Sequence, residues 1–461
     1  MSPASRPAGA APPPRYEQIA ADLVQNILNG QIAAGEKLPP QRVLAKRLGV
    51  TTGTVSRAYE ALVQRGLASA RIGDGTYVRN MNPALRDQAS RDAPPPVDLA
   101  YNVAVPTDEV DALARVLGEL QHDPACLRQL ISYQPEAGAL RHRMAGAQWL
   151  QRFGAAGDWN RVMVTHGAQH ALAGVLRAVA RPGDTLLTEA LTYPGLLALA
   201  RSMRLQVIGV EMDEEGLHPE ALERAAENFH ARLLFCSPTL NNPTTRTMSA
   251  TRRDAIAAVI RRHGLLLMED LVHASVLEHP PTALATRVPE QSFMMASMSK
   301  VMAPGLRVGF LEASPEWLDK VAASIRTDCW MVAPLMPEIA TRWIESGEAD
   351  RLIARQRQEI HQRLQLARVR LQGLEYSASA WHPHVWLPLH GPWSGTGLGS
   401  ALRQAGVLVR TAEQFAAGRS RVPQAVRISL NSARSLEELD RGLQTVVQTL
   451  AGAPIPTDIA P

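Results

Sequence analysis

Between Tyr16 and Asn29 apolar residues recur every four positions, at Ile19, Leu23 and Ile27, and Gly30 ends the stripe; this spacing predicts a helix. "PQRVLAKRLG" predicts a second, with Pro40 near its start and Gly49 as its stop. "VTTGTVSRAYEALVQRG" predicts a third, with Thr51 as cap, Val55, Tyr59 and Leu62 facing inward, and Gly53, Thr54 and Arg57 facing away. The turn between the second and third is about three residues, the spacing of a helix-turn-helix. Two short strand-like runs then flank Gly73-Asp74-Gly75, a hairpin signal before the periodicity fades. From Asn80 to Asp98 the chain is polar and Pro-bearing and reads as an extended tether, reaching roughly 60 Å at most. Beyond it "VMVT", "TLLTE", "VIGVEM", "RLLFCS", "GLLLMED", "SFMMAS" and "RVGFLE" alternate with helical stretches, which predicts an α/β domain with a mostly parallel sheet.

The 461 residues suit two or three domains, and 46% hydrophobic with 20% charged residues suits a globular protein. No apolar run approaches the roughly 20 residues needed to cross a bilayer, so no membrane role is expected. The first 14 residues read as a disordered Pro/Ala tail without the apolar core of a signal peptide, and residues 451–461 as a second tail. Cys126, Cys236 and Cys329 are too scattered for a disulfide framework or a metal site, so a reducing cytoplasm is expected. Charge is unevenly spread. Residues 15–79 carry nine Lys/Arg against five Asp/Glu, and the difference equals the +4 of the whole chain. An anionic partner for this piece follows. On the third helix Thr51, Thr52 and Thr54 offer small hydroxyls to base edges and Arg57 a guanidinium, while Arg42 and Lys46 on the second could contact the DNA backbone. A merely packed three-helix module with a basic face is the plainer alternative. The stretch "LPPQRVLAKRLGVTTGTVSRAYEALVQRG…GDGTYV" also resembles the winged-helix domain of GntR-type bacterial regulators. That resemblance implies DNA contacts by Arg42, Thr51, Thr52, Thr54, Arg57 and the wing glycine Gly73. Thr52 stands where many members have arginine.

Candidate chemistry in the second domain collects at strand ends. "THGAQHAL" would present the backbone N–H groups of Gly167, Ala168 and Gln169 at a helix start, a seat for phosphate. Tyr193 supplies an aromatic face, Asn242 a side-chain donor before Pro243, and Glu269 and Asp270 carboxylates at the end of an apolar run. In "SMSKVMAPGLRVGF", Lys300 lies among Ser297, Ser299 and Arg307, in a chain poor in lysine. Singly each has a plain structural reading. Together they match one ligand: an aldehyde for the amine, a phosphate for hydroxyls and arginine, a flat ring for the tyrosine and a ring nitrogen for the aspartate. Pyridoxal 5'-phosphate has all of these, and a desolvated lysine is suited to form its Schiff base.

The ordered pieces "YQPEAGALRHR", "THGAQHAL", "TYPG", "NNPT", "MEDLVH", "SMSK…GLRVGF" and "VRISL", between about Leu99 and Leu450, resemble fold-type I aminotransferases. The resemblance implies Lys300 as the lysine bonded to the cofactor and Asp270 as partner of the ring nitrogen. It implies Asn242 on the ring hydroxyl, Tyr193 stacked on the ring, and Ala168, Gln169, Ser297, Ser299 and Arg307 on the phosphate. Arg427 would hold a ligand's α-carboxylate. His273 stands where the family has a tyrosine, and Thr245 where it has a glycine. The two halves joined resemble the MocR/GabR class of regulators: a winged helix at 15–79, a linker at 80–98 and an aminotransferase-like domain at 99–450. This implies a homodimer with each DNA-binding domain packed on the other subunit. It also implies sensing of an amino compound through an external aldimine at Lys300. An active aminotransferase with an accessory DNA-binding domain, and a regulator that senses pyridoxal phosphate itself, are the alternatives.

Overall fold

The computed structural model describes residues 14–28, 32, 37–64, 67–71, 75–78 and 95–452. The expected helix stop Gly30, the wing residue Gly73, residues 1–13, 80–94 and 453–461 lie outside them. The chain divides into two compact units, Met1–Pro95 and Pro96–Pro461.

In the first unit helices α1 (Arg15–Leu28), α2 (Gln41–Leu48) and α3 (Thr52–Gln64) precede strands β1 (Ala68–Arg71) and β2 (Gly75–Val78). The strands pair antiparallel, Arg71 opposite Gly75. Ile19, Leu23, Leu44, Val55, Tyr59 and Leu62 are buried together, so the four-residue spacing in α1 and the inward face of α3 are apolar because they build this core. Gly49 ends α2 at φ 63°, a left-handed conformation that glycine adopts without steric cost. Thr51 caps α3, its Oγ1 accepting from the Thr54 N–H at 3.3 Å. The Tyr59 hydroxyl donates to the Pro39 carbonyl at 2.7 Å, and burial pushes its pKa up to about 12, so it remains a donor.

The second unit holds a seven-stranded sheet in the order Val162–Thr165, Gly309–Glu312, Ser292–Ser297, Leu266–Asp270, Leu233–Cys236, Thr185–Glu189, Gln206–Val210. Only Gly309–Glu312 runs antiparallel to its neighbours. Leu186 and Met268 enter the apolar cluster on one face, Leu187 and Leu267 that on the other. Burial on both faces explains why these strands read as continuous apolar runs and do not alternate. A second layer has the antiparallel order His384–Pro388, Ala425–Ser429, Arg410–Thr411 and shares a core with the helices Glu348–Arg370, Gly395–Gln404 and Leu436–Ala451. Val97–Asp98, read from sequence as the end of the tether, pairs with Val407–Leu408 here. Among the described residues no helix is long and apolar enough to cross a membrane.

Candidate functional site

The carboxyl ends of the parallel strands open onto a cavity of about 350 Å³. It is lined by eleven of the residues that the sequence nominates in this domain, from Ala168, Gln169 and Tyr193 through Asn242, Asp270, His273, Ser297, Ser299, Lys300 and Arg307 to Arg427, while the nominated Gly167 and Glu269 do not line it.

One end is built for an anion. The strand ending at Thr165 turns at Gly167 into the helix Ala168–Val179, so the first N–H groups of that helix lack helical partners. Gly167 sits at φ 79°, and a Cβ there would lie 2.9 Å from Arg307 Nη2. A Cβ on Gly309, on the adjacent strand, would meet the Gly167 Cα at 2.7 Å, so close backbone approach requires glycine at 309 and the positive φ favours it at 167. Arg307 donates from Nη1 to Ser299 Oγ at 3.0 Å and from Nη2 to the His166 carbonyl at 3.2 Å. Ser297 Oγ accepts from the Ser299 N–H at 3.2 Å. Hydroxyls, guanidinium and helix start thus converge at one place.

The next feature follows from strand alternation. Glu269 and Asp270 end the strand Leu266–Asp270, and consecutive side chains face opposite ways. Glu269 goes into the core, where it accepts from the Leu284 and Ala285 N–H groups at 3.1 and 2.6 Å and lies 3.6 Å from Arg253 Nη1. Asp270 faces the cavity with Oδ1 accepting from the Val272 N–H at 2.9 Å. Burial raises its pKa to about 6, against that hydrogen bond and the field of Lys300. Lys300 donates to the Asn102 carbonyl at 2.6 Å. Burial lowers its pKa to about 8, helped by Arg427 and Arg307 and opposed by Asp270. An amine that loses its proton this readily can attack an aldehyde near neutral pH.

Asn242 lies on a buried loop pinned from several sides. Arg253 donates to the carbonyls of Pro238 and Met248 and to Thr239 Oγ1. His384 Nε2 lies 2.9 Å from the Pro243 carbonyl and His382 Nε2 3.0 Å from that of Leu240. A carbonyl only accepts, so both Nε2 atoms carry the proton. Burial drives both imidazoles down, His382 to about 3, so they are neutral pins. His273 lines the cavity 4.8 Å from the His382 ring, and burial lowers its pKa well below the usual value. At Thr245 the backbone takes φ 65°, left-handed, at a cost of roughly 1–3 kcal/mol for a β-branched residue. Arg427 is 5% exposed; its Nη1 donates to Asn242 Oδ1 at 2.7 Å, its Nη2 to the Ala100 carbonyl, and its Nε has no partner. Because guanidinium only donates, Asn242 Oδ1 is taken and Nδ2 is the end left to donate.

In the first unit Arg42, Thr51, Thr52 and Arg57 are exposed and Thr54 is half-buried, its Oγ1 2.9 Å from that of Thr51. The basic side chains Arg42, Lys46 and Arg47 share the outer face of α2. Sequence reasoning missed Tyr101, Asn102, Arg410 and Phe415, which also line the cavity. No motif marks them. The nearest signals were the pair of histidines in "WHPHVW" and the alternating "VLVRT".

Comparison with known proteins agrees with both halves. The aminotransferase class I and II family profile matches residues 97–446, and that of the gntR family of bacterial regulatory proteins residues 15–78. An uncharacterized HTH-type transcriptional regulator of Bacillus subtilis (strain 168), YdeF, is 30% identical over 439 residues, covering 95% of this chain and 94% of its own. The vitamin B6 salvage pathway transcriptional repressor PtsJ of Salmonella typhimurium is 26% identical, covering 91% and 95%. Kynurenine aminotransferase of Pyrococcus horikoshii shares the fold, with TM-score 0.70 and 20% identity over 80% of this chain and 96% of that one. The chain belongs to the MocR/GabR-type regulators, an aminotransferase class I and II domain behind a gntR-family DNA-binding domain. Duplex DNA is the partner of the first domain and pyridoxal phosphate the cofactor of the second. The residues present fit that cofactor: an anion cradle too tight for any Cβ, an easily deprotonated lysine and a cavity-facing carboxylate.

Proposed function

We propose that this chain regulates transcription by binding duplex DNA through α2, α3 and the wing, and by sensing a carboxylate-bearing amino compound in the cavity. When bound, pyridoxal phosphate supplies a carbon at which one amine replaces another. Lys300 would hold that carbon, Asp270 the ring nitrogen, Asn242 Nδ2 the ring hydroxyl, with Tyr193 against the ring and His273 beside it. Ala168, Gln169, Ser297, Ser299 and Arg307 would hold the phosphate, and Arg427 the ligand's carboxylate.

One observation carries the reading. Both groups that would meet the ligand, Lys300 and Arg427, are held by backbone carbonyls of one short segment, at Asn102 and Ala100. A ligand carboxylate competes with the Ala100 carbonyl for Arg427. Lys300, once bonded to the cofactor, gives up ammonium hydrogens that hold the Asn102 carbonyl. The same segment continues back through Val97 into the tether. Hydrogen bonds to charged groups contribute about 1.5–3 kcal/mol each, comparable to a typical coupling between sites of roughly 1–3 kcal/mol. Occupancy of the cavity is thereby felt where the chain leaves for the DNA-binding unit. The assembly is a homodimer acting in the cytoplasm, with each DNA-binding domain on the other subunit. Tyr133 and Trp330, 83% and 56% exposed with rings 6.2 Å apart, supply apolar surface for a second copy.

A second reading, sensing of pyridoxal phosphate itself, is favoured by the vitamin B6 connection of PtsJ and of the pyridoxine biosynthesis regulator PdxR of Corynebacterium glutamicum, 27% identical over 321 residues. Operator affinity measured without cofactor, with cofactor, and with cofactor plus a panel of amino compounds separates the two. The sensing reading expects an amino compound to shift both visible absorbance and DNA affinity, and Lys300→Ala to abolish both responses. A response to cofactor alone, with no amino compound perturbing the spectrum, favours the second. Sustained keto acid release at roughly 1 per second or more would instead mark an enzyme.

A further inference from the structure

We infer that Arg410 is a second anion-binding residue of the cavity, and that the sensed compound carries two anionic groups besides its amine. This rests on the sensing reading and names its ligand class.

Arg410 and Arg427 stand directly opposite one another on antiparallel strands. Residues so paired share a face, with Cβ atoms about 4.5–5.5 Å apart, and like charges there repel. Both line the cavity. Among the described residues no acid forms an ion pair with either. Asp98, whose field reaches Arg427, has its Oδ1 engaged by the Ala100 N–H at 2.8 Å. Arg427 is buried with Nε unpartnered, and Arg410 is half-buried with a contact from Nη1 to Gln414 Oε1 at 3.2 Å. Each guanidinium rests on an aromatic ring that lines the cavity, Arg427 5.0 Å from the Phe415 centroid and Arg410 4.5 Å from that of Tyr101. A guanidinium seated on a ring by its face keeps its edge for a carboxylate fork.

The lining of the cavity carries an excess of positive charge. It has four cationic side chains, Lys300, Arg307, Arg410 and Arg427, and one carboxylate, Asp270. The cofactor's phosphate, with close to two charges, would answer Arg307 and the helix start at Ala168, its ring nitrogen would answer Asp270, and Lys300 would hold its carbon. A ligand carboxylate answers Arg427. Arg410, directly opposite Arg427 and with no ion-paired acid among the described residues, is then placed to meet a second anionic group of the ligand.

The test uses the full-length, cofactor-loaded protein. L-aspartate, L-glutamate and L-cysteate are titrated against L-asparagine, L-glutamine and L-norvaline, with binding read by visible absorbance and by the shift in thermal midpoint. At least one acidic compound is expected to bind about tenfold or more tighter than its neutral counterpart, with affinity falling as salt rises. In Arg410→Gln that ratio should collapse to within about twofold, and Arg410→Lys should restore part of it. Equal affinity for acidic and neutral compounds in the wild type, or an unchanged ratio in Arg410→Gln, overturns the inference alone. The wild-type ratio decides the matter if the variant does not fold. Absence of any response to any amino compound overturns the sensing reading, and this inference with it.

Discussion

The two functional surfaces of this chain solve opposite problems. On α2 and α3 the proposed DNA contacts Arg42, Thr51, Thr52 and Arg57 are exposed, and the core beneath them is built by others, Val55, Tyr59 and Leu62. In the cavity Asp270, Lys300 and Arg427 are themselves buried or half-buried, and each is hydrogen-bonded and shifted in pKa by that burial. Arg427 is held by Asn242 and the Ala100 carbonyl, Lys300 by that of Asn102. A surface that reads phosphate and base edges in water needs little from the fold beyond a rigid helix. A cavity that must strip water from an amine and a carboxylate needs the whole sheet.

The contrast predicts where function and stability separate. The largest effect is expected at Arg427. Arg427→Leu removes the carboxylate's partner from a desolvated site and should weaken ligand binding by roughly a hundredfold, about 3 kcal/mol. The same change should move the thermal midpoint, because Asn242 Oδ1 and the Ala100 carbonyl lose their donor. Ligand titration beside a melting curve checks both; an unaffected ligand affinity would remove Arg427 from the site. Arg57→Ala should weaken operator binding about tenfold while stability stays within about 0.5 kcal/mol, as read by DNA titration and denaturant melts. Loss of fold in that variant would erase the distinction between the two surfaces. The third expectation concerns protons. Lys300 is depressed to about 8, so its reactive neutral form is the minority below that pH and the majority above it. Covalent uptake of pyridoxal phosphate by the cofactor-free protein should therefore speed up from pH 7 to pH 9, by about tenfold. The linkage has the same sign: the folded state binds fewer protons at this group between about 8 and the ordinary lysine value, so its contribution to stability rises with pH there. A flat uptake profile would mean that the amine is not desolvated as the geometry implies.

Much of this was legible in the chain because its chemistry sits on local motifs. A strand ending in a small-residue turn, a lysine between hydroxyls and an arginine, and a helix with hydroxyls opposite an apolar stripe are all patterns of under twenty residues. The seven predicted strand runs correspond to the seven strands of the sheet, three of them residue for residue and the others with ends differing by up to two residues, since periodicity marks the middle of an element better than its cap. Tyr101, Asn102, Arg410 and Phe415 were invisible for a physical reason. Their roles come from contacts across more than a hundred residues, such as Lys300 with Asn102 and Arg427 with Ala100, which leave no local signature.

What the linear order of residues determined by itself was the kind of parts present: a basic helix pair, a tether, and strands whose ends carry an amine, a carboxylate and an anion seat. Only the tertiary structure decided that these ends meet in one cavity and that Glu269 turns into the core while Asp270 turns to the ligand. It alone placed a second arginine opposite the first. Local sequence sets propensity and period, but which charge faces which is decided by packing, because desolvation depends on every element that closes over a group.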